Sequence, residues 1–269
     1  MKIALCYSGQ IGGIYKAHNN QKTAFIDCNT PDIFCYTSDA VSQKDNTLLN
    51  MRPDSEIYEY LPGGYGWREN YKTYGIIYKI EKQRIESILK ELYGTRLKNY
   101  TIEEEEIVNQ GHDLNMSKWQ WMKMRQLHKL KGCNELMKKS ETRYDIVIRS
   151  RFEFNCAFRI DVEYLLRQVG GLSGLKNKIF VFGGFPCTPP MEFMDEYFCD
   201  GFVLCTPEVM DIFCSLADLE EPYPPNPKYV DNWKKWGDSI EHQFRTHMLE
   251  NNVEINYISK KRSDYAIVR

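Results

Sequence analysis

Apolar residues along this chain come in short bursts separated by longer stretches of helical spacing, and that alternation predicts a layered α/β architecture. The opening Ile3-Ala4-Leu5-Cys6-Tyr7 is too short for a buried helix, so a strand is predicted over 2–8. A helix over 16–26 follows, then strands over 32–37 and near 56–60. Pro62-Gly63-Gly64-Tyr65-Gly66 predicts a loop. The stripe Ile76, Ile77, Ile80, Ile85, Ile88, Leu89 and Leu92 predicts a helix over 74–93, ended by Gly94. Met116, Trp119, Met122, Leu127, Leu130 and Met137 predict a longer helix over 116–140. Further strands are predicted over 145–149, 178–182, 200–205 and 253–258. Thr206-Pro207 supplies a cap residue and a proline for the first turn of a helix, and Ile240, Phe244 and Met248 mark the inner face of another. Between them, the prolines and aromatics of 222–236 predict a long loop.

Strands alternating with helices imply a parallel sheet with helices on its faces. No repeat or low-complexity linker interrupts the chain, so 1–269 is expected to be a single α/β domain. A chain of 269 residues with 42% hydrophobic composition is long and apolar enough for a substantial core. Its net charge of −2 argues against a nucleic-acid partner, whose phosphates call for a basic surplus. The start lacks a basic segment followed by a long apolar one, and no run approaches the roughly 20 apolar residues of a membrane span, so a cytoplasmic location is expected. Nine scattered cysteines without metal-ligand spacing predict reduced thiols packed as small hydrophobes. Glu103 to Glu106 predict a loop or a solvated helix face rather than a metal site.

Candidate chemistry gathers at Tyr144-Asp145-Ile146-Val147-Ile148-Arg149-Ser150-Arg151-Phe152-Glu153. The apolar run ends in two arginines and a carboxylate, where open α/β sheets bind ligands. In an extended chain Arg149, Arg151 and Glu153 leave on one face. Guanidinium groups match phosphate oxygens, and a carboxylate can hold a divalent cation or a sugar hydroxyl, so the pattern points to a phosphorylated ligand. The simpler alternative is an Arg–Glu ion pair that closes the strand end. Ser8, Gly9 and Gln10 end the first strand and Asp39 ends Tyr36-Thr37-Ser38-Asp39, both positions from which a nucleotide base or ribose is reachable.

Together with Asp32-Ile33-Phe34, the Trp-containing helix and Asp200-Gly201-Phe202 before Thr206-Pro207-Glu208, these segments resemble glycosyltransferases of the WavE type and related polysaccharide-synthesis proteins of bacteria and large DNA viruses. The resemblance spans most of the chain, with little from 40–110. It implies a GT-A-like, Rossmann-like domain with a mixed, mainly parallel sheet. Residues 1–110 would form a nucleotide-binding half and 111–269 a diphosphate, metal and acceptor half. It also implies a nucleotide-diphosphate sugar as donor, a glycan as acceptor, and a Mn²⁺ or Mg²⁺ ion on the diphosphate. Where that fold carries an acid-x-acid motif this chain has Arg151-Phe152-Glu153, so only Glu153 fills an acidic position.

Transfer from such a donor leaves a charged diphosphate, which Arg149 and Arg151 would stabilise with or without a cation on Glu153. Lys260, Lys261 and Arg262 would form a second clamp if the C-terminal segment folds back; otherwise they are a solvated tail. A base for the acceptor hydroxyl is expected at Glu241, with Asp238 and Asp200 as further candidates. Asp238 and Glu241 also fit a capping box, which needs no catalysis. His247 is a helix residue or a late metal ligand, and Trp233, Trp236 and Tyr223 would stack on sugar rings or pin their loop. Two other functions remain open: a non-catalytic carbohydrate- or nucleotide-sugar-binding protein, and a dinucleotide-dependent oxidoreductase. Gly9-Gln10-Ile11-Gly12-Gly13 lacks the glycine spacing of the latter.

Overall fold

A computed structural model describes residues 1–42, 63–64, 74–75, 77–104, 123–183, 198–224, 240–259 and 264–267. Its strands in chain order are β1 (Ile3–Ser8), β2 (Asp32–Ser38), β3 (Ala40–Ser42), β4 (Gly63–Gly64), β5 (Tyr74–Gly75), β6 (Ile77–Lys79), β7 (Leu97–Glu103), β8 (Ile146–Ser150), β9 (Phe154–Cys156), β10 (Lys178–Phe182), β11 (Cys199–Cys205), β12 (Glu254–Ser259) and β13 (Tyr265–Ile267). The helices are α1 (Ile14–Gln21), α2 (Lys82–Tyr93), α3 (His128–Lys138), α4 (Val162–Val169), α5 (Pro207–Ser215) and α6 (Ile240–Glu250).

Seven strands form one sheet in the order β12-β10-β11-β8-β1-β2-β7. β1 pairs parallel with β2 and β8, β2 with β7, and β10 with β12; β11 runs antiparallel to both β8 and β10. The sheet is therefore mixed and mainly parallel, with helices on both faces. The chain builds outward from β1 through β2 to β7, then returns to the other flank of β1 as β8. That reversal makes the carboxyl ends of β1 and β8 a topological switch point.

Alternation along β1 and β8 divides the core. Ile3, Leu5, Tyr7, Ile146 and Ile148 face one side, where α1, α2 and α4 contribute Ile14, Leu89 and Leu165. Ala4, Cys6 and Val147 face the other, covered by Leu130 of α3, Phe213 of α5 and Phe244 of α6. The Phe213 and Phe244 rings stack 4.2 Å apart, and each such ring contributes about 1.5–3 kcal/mol by leaving water. Ile240 and Met248 point inward as their spacing predicts. α3 lies so close to the sheet that a Cβ on Gly132 would fall 2.4 Å from the Tyr36 ring.

Several local features follow from sequence. Thr206 accepts the Val209 N–H at the start of α5 with Pro207 in the first turn, and Gly94 ends α2. The eight described cysteines are free, and burial pushes the thiols of Cys35, Cys133, Cys205 and Cys214 up, which keeps them protonated and inert. No described helix is long and apolar enough to cross a membrane.

Other segments correct the periodicity. The helix expected over 74–93 begins only at Lys82, because Tyr74–Gly75 and Ile77–Lys79 form strands β5 and β6. Ile80 packs in the core just before the helix rather than on its stripe. Gly63–Gly64, expected in a loop, pairs with β5. The first helix continues beyond Gln21 through a π-helical turn, Lys22–Ile26, to Asn29. Of the helix expected over 116–140 the described part is a π-helical turn, Lys123–Leu127, leading into α3. Glu103 is the last residue of β7 rather than part of a solvated run, and its carboxylate accepts the Tyr36 hydroxyl at 2.6 Å and meets His128 Nε2 at 2.6 Å. The strand near 56–60 lies outside the described residues.

Candidate functional site at the carboxyl edge of the sheet

β8 ends at Ser150, and the next residues turn, with Phe154 N–H donating to the Arg151 carbonyl at 3.2 Å. Arg149, Arg151 and Glu153 therefore do not share one extended face as their alternation predicts. They converge all the same, because the turn folds Arg151 and Glu153 back over the strand end.

Arg149 is sealed in the protein, with 1% of its side chain exposed. Its Nε donates to Ser8 Oγ at 3.2 Å and its Nη1 to Asp200 Oδ2 at 3.3 Å. Burial lowers its pKa, while Asp200 works in the opposite direction. Arg151 keeps a quarter of its side chain exposed. Its Nε and Nη2 both donate to Glu153 Oε1, at 2.9 and 2.6 Å, and its Nη1 lies 3.9 Å from Asp200 Oδ2. Burial works against its charge, but Glu153 and then Asp200 outweigh it, so its pKa is raised. Asp200 also accepts the Gln126 amide at 2.5 Å. It is aimed inward where the pairing of β10 with β11 slips, Val181 facing Val203 while Phe182 faces Cys199. Such an irregularity re-aims a side chain without breaking the sheet.

The turn's backbone is held from the opposite face. Gln21, fully buried on α1, donates through Nε2 to the carbonyls of Arg151, Phe152 and Phe154 at 3.2, 3.0 and 2.8 Å. Its Oε1 accepts the Tyr7 hydroxyl at 2.7 Å, and the Tyr7 ring stacks between Tyr93 and Phe152. Asn20 grips Cys156 through both backbone groups, at 2.8 and 2.7 Å. β13 then pairs with β9 just beyond the turn, and Ala157 N–H donates to the Asp264 carbonyl.

Ser8, Arg149, Arg151, Glu153 and Asp200 thus meet at the switch point. Gly9 follows Ser8 at φ 125°, a conformation that side chains resist, and its N–H donates to the Tyr36 carbonyl. Gln10 follows it, half-buried, and Gly13 leads into α1 without a side-chain cap. Asp39 stands on the β2 flank, its backbone bonded to Glu103 and Ile80. Glu241 is half-buried in the first turn of α6. His247 resolves to a core histidine: Nδ1 meets the Tyr223 hydroxyl at 2.9 Å, Nε2 meets the Ile212 carbonyl at 2.9 Å, and burial lowers its pKa. Tyr223 is thereby tied to α6, also through Gln243. Asp238, Trp233, Trp236, Lys260, Lys261 and Arg262 lie outside the described residues.

Sequence reasoning missed Gln21 and Gln126. Neither breaks a periodic pattern; each sits beside or within a π-helical turn that no propensity signals. Among the described residues no three His, Cys, Asp or Glu side chains come together as a metal-ligand set. Glu153, expected to help hold a cation, commits Oε1 to Arg151, and Asp200 faces both arginines. That donor set does not by itself fit a protein-held divalent cation.

No protein-family model matches the chain, and no curated protein matches it. Solved structures with a similar course include a nucleoside-diphosphate-sugar pyrophosphorylase from Vibrio cholerae RC9, at 8% identity and TM-score 0.42, covering 99% of this chain and 95% of that one. The galactosyltransferase LgtC in complex with donor and acceptor sugar analogs aligns at 12% identity and TM-score 0.42, over 96% of this chain and 73% of its own. An active-site mutant of LgtC aligns at 11% identity and TM-score 0.39, over 96% of this chain and 72% of its own. Likeness at this level assigns no residue and no activity to the chain.

Proposed function

We propose that this protein is a glycosyltransferase that moves a sugar from a nucleotide-diphosphate donor to a hydroxyl of a glycan acceptor. The observation that carries the proposal is the Ser8–Arg149–Asp200–Arg151–Glu153 network at the carboxyl ends of β1 and β8. It combines a guanidinium still open to solvent with rigid support at the sheet edge where α/β proteins bind nucleotides. In this reading Ser8, Gly9, Gln10 and Asp39 flank the nucleotide, and Arg151 meets the diphosphate. Arg149 positions the edge through Ser8 and Asp200. The acceptor hydroxyl attacks the anomeric carbon, Glu241 takes its proton, and the bond to the diphosphate breaks with charge developing on oxygens near Arg151. Asp238 is the alternative base, and Lys260 with Arg262 a second clamp on the phosphates. Residues 1–110 supply the nucleotide side of the edge and 111–269 the diphosphate and acceptor side.

One observation favours a second reading. Arg149 and Arg151 are both matched by Asp200 and Glu153, which leaves no surplus positive charge in the network and suits a binding module without turnover. Thermal unfolding against UDP-, GDP-, CDP- and dTDP-sugars, with and without Mn²⁺, tests both. A donor at a hundred times its dissociation constant stabilises the fold by about 2.7 kcal/mol. A shift with one nucleotide class, plus release of that nucleoside diphosphate when glycan is added, supports transfer. A shift without release supports the binding module, and no shift with any donor overturns both.

A further inference from the structure

We propose that Glu153 is a built-in stand-in for the anionic ligand, occupying the guanidinium fork of Arg151 until a diphosphate displaces it. The proposal rests on the diphosphate reading of this edge and adds what sets its affinity. Both donors on one edge of the Arg151 fork, Nε and Nη2, go to the same oxygen of Glu153 at 2.9 and 2.6 Å. That edge is the one a phosphate takes bidentately, so ligand and Glu153 compete for the same two N–H groups.

Arg149 does not share this role. It is 1% exposed and fastened to Ser8 and Asp200, so of the two arginines it is Arg151 that an incoming anion meets. Exchange falls to the side chain. Gln21 fixes three carbonyls of the turn and Arg151 N–H donates to the Gly201 carbonyl at 3.0 Å, so it is the Glu153 carboxylate, 10% exposed, that has to swing aside to free the fork. Charge balance points the same way. With both acids ionised the network is neutral and a diphosphate meets two carboxylates; without the Glu153 charge it carries one net positive charge. A carboxylate beside the ligand thus weakens binding, the reverse of what a metal-holding acid does.

Titration calorimetry with inorganic pyrophosphate in EDTA tests the proposal on the full chain, using wild type, Glu153→Gln, Glu153→Asp and Arg151→Gln. Glu153→Gln should bind pyrophosphate at least about tenfold more tightly than wild type, about 1.4 kcal/mol, and Arg151→Gln should lose binding. Glu153→Asp keeps the charge on a shorter arm and should fall between. It decides the matter alone if Glu153→Gln does not fold, since affinity no higher than wild type would then overturn the proposal. Equal or weaker binding by a folded Glu153→Gln overturns the stand-in; if Arg151→Gln still abolishes binding, the diphosphate reading survives. No binding by any folded variant overturns both.

Discussion

The turn after β8 is gripped from two sides by unlike chemistry. From the α1 side come neutral groups: Asn20 and Gln21 hold its backbone, and Tyr7 anchors Gln21. On the other side its charged side chains join Arg149, Asp200 and Gln126. Neutral amides place a backbone without altering the field around it, whereas every ion in a buried network changes the energy of the others. The division places the backbone through one set of partners and balances its charges through another.

The largest effect should come from breaking the ionic side. Arg149→Met takes from buried Asp200 its enclosed cation, leaving it Gln126 and the more distant Arg151, and should cost about 3–5 kcal/mol in urea unfolding, most of it recovered when Asp200→Leu is added. A loss below about 1 kcal/mol would mean the two sides do not differ as argued. Next comes the amide side: Gln21→Leu removes the one amide that bonds three carbonyls of the turn and should cost about 1–3 kcal/mol, with faster amide exchange at Phe154. Arg151→Gln leaves the Glu153 carboxylate, 10% exposed, without its guanidinium, so it too should cost about 1–3 kcal/mol. Its second effect should appear in anion binding. Tyr7→Phe removes one hydroxyl bond from the amide side and should cost about 0.5–1.5 kcal/mol.

Acid sharpens the comparison further. Burial lowers the pKa of His18 on α1 and of His247 on α6 from the ordinary value of 6.5. The unfolded chain then takes up protons first as pH falls, so stability present above about 6.5 declines as pH falls through and below that value. Unfolding midpoints should drop between about pH 7.5 and 5.5, and His247→Gln should flatten part of that slope.

The elements were legible in sequence where burial pattern and punctuation agree. Cys199–Cys205 followed by Thr206-Pro207 gave both a strand and a capped helix, and Ile240, Phe244 and Met248 gave the inner face of α6. Ile77 and Ile80 mimic a helical stripe because Ile77 belongs to β6, which pairs with β3 far upstream, and Ile80 packs in the core just ahead of α2. Arg149, Arg151 and Glu153 were legible as a cluster but not as a turn, since side-chain alternation carries no information about where a strand stops. Gln21 and Gln126 were not legible at all. An amide's partners are distant backbone or carboxylate groups, and only the completed fold brings them within reach.

β13 adds a matter of timing. Phe154–Cys156 finds its antiparallel partner in Tyr265–Ile267, far downstream in the chain. During synthesis the first strands, α1 and even β8 can assemble while that partner is still inside the ribosome. The segment just beyond Arg151 and Glu153 therefore waits, one edge unpaired, until almost all of the sequence described here has emerged, and a nascent chain can pair β1, β2, β7 and β8 well before it has a finished binding edge.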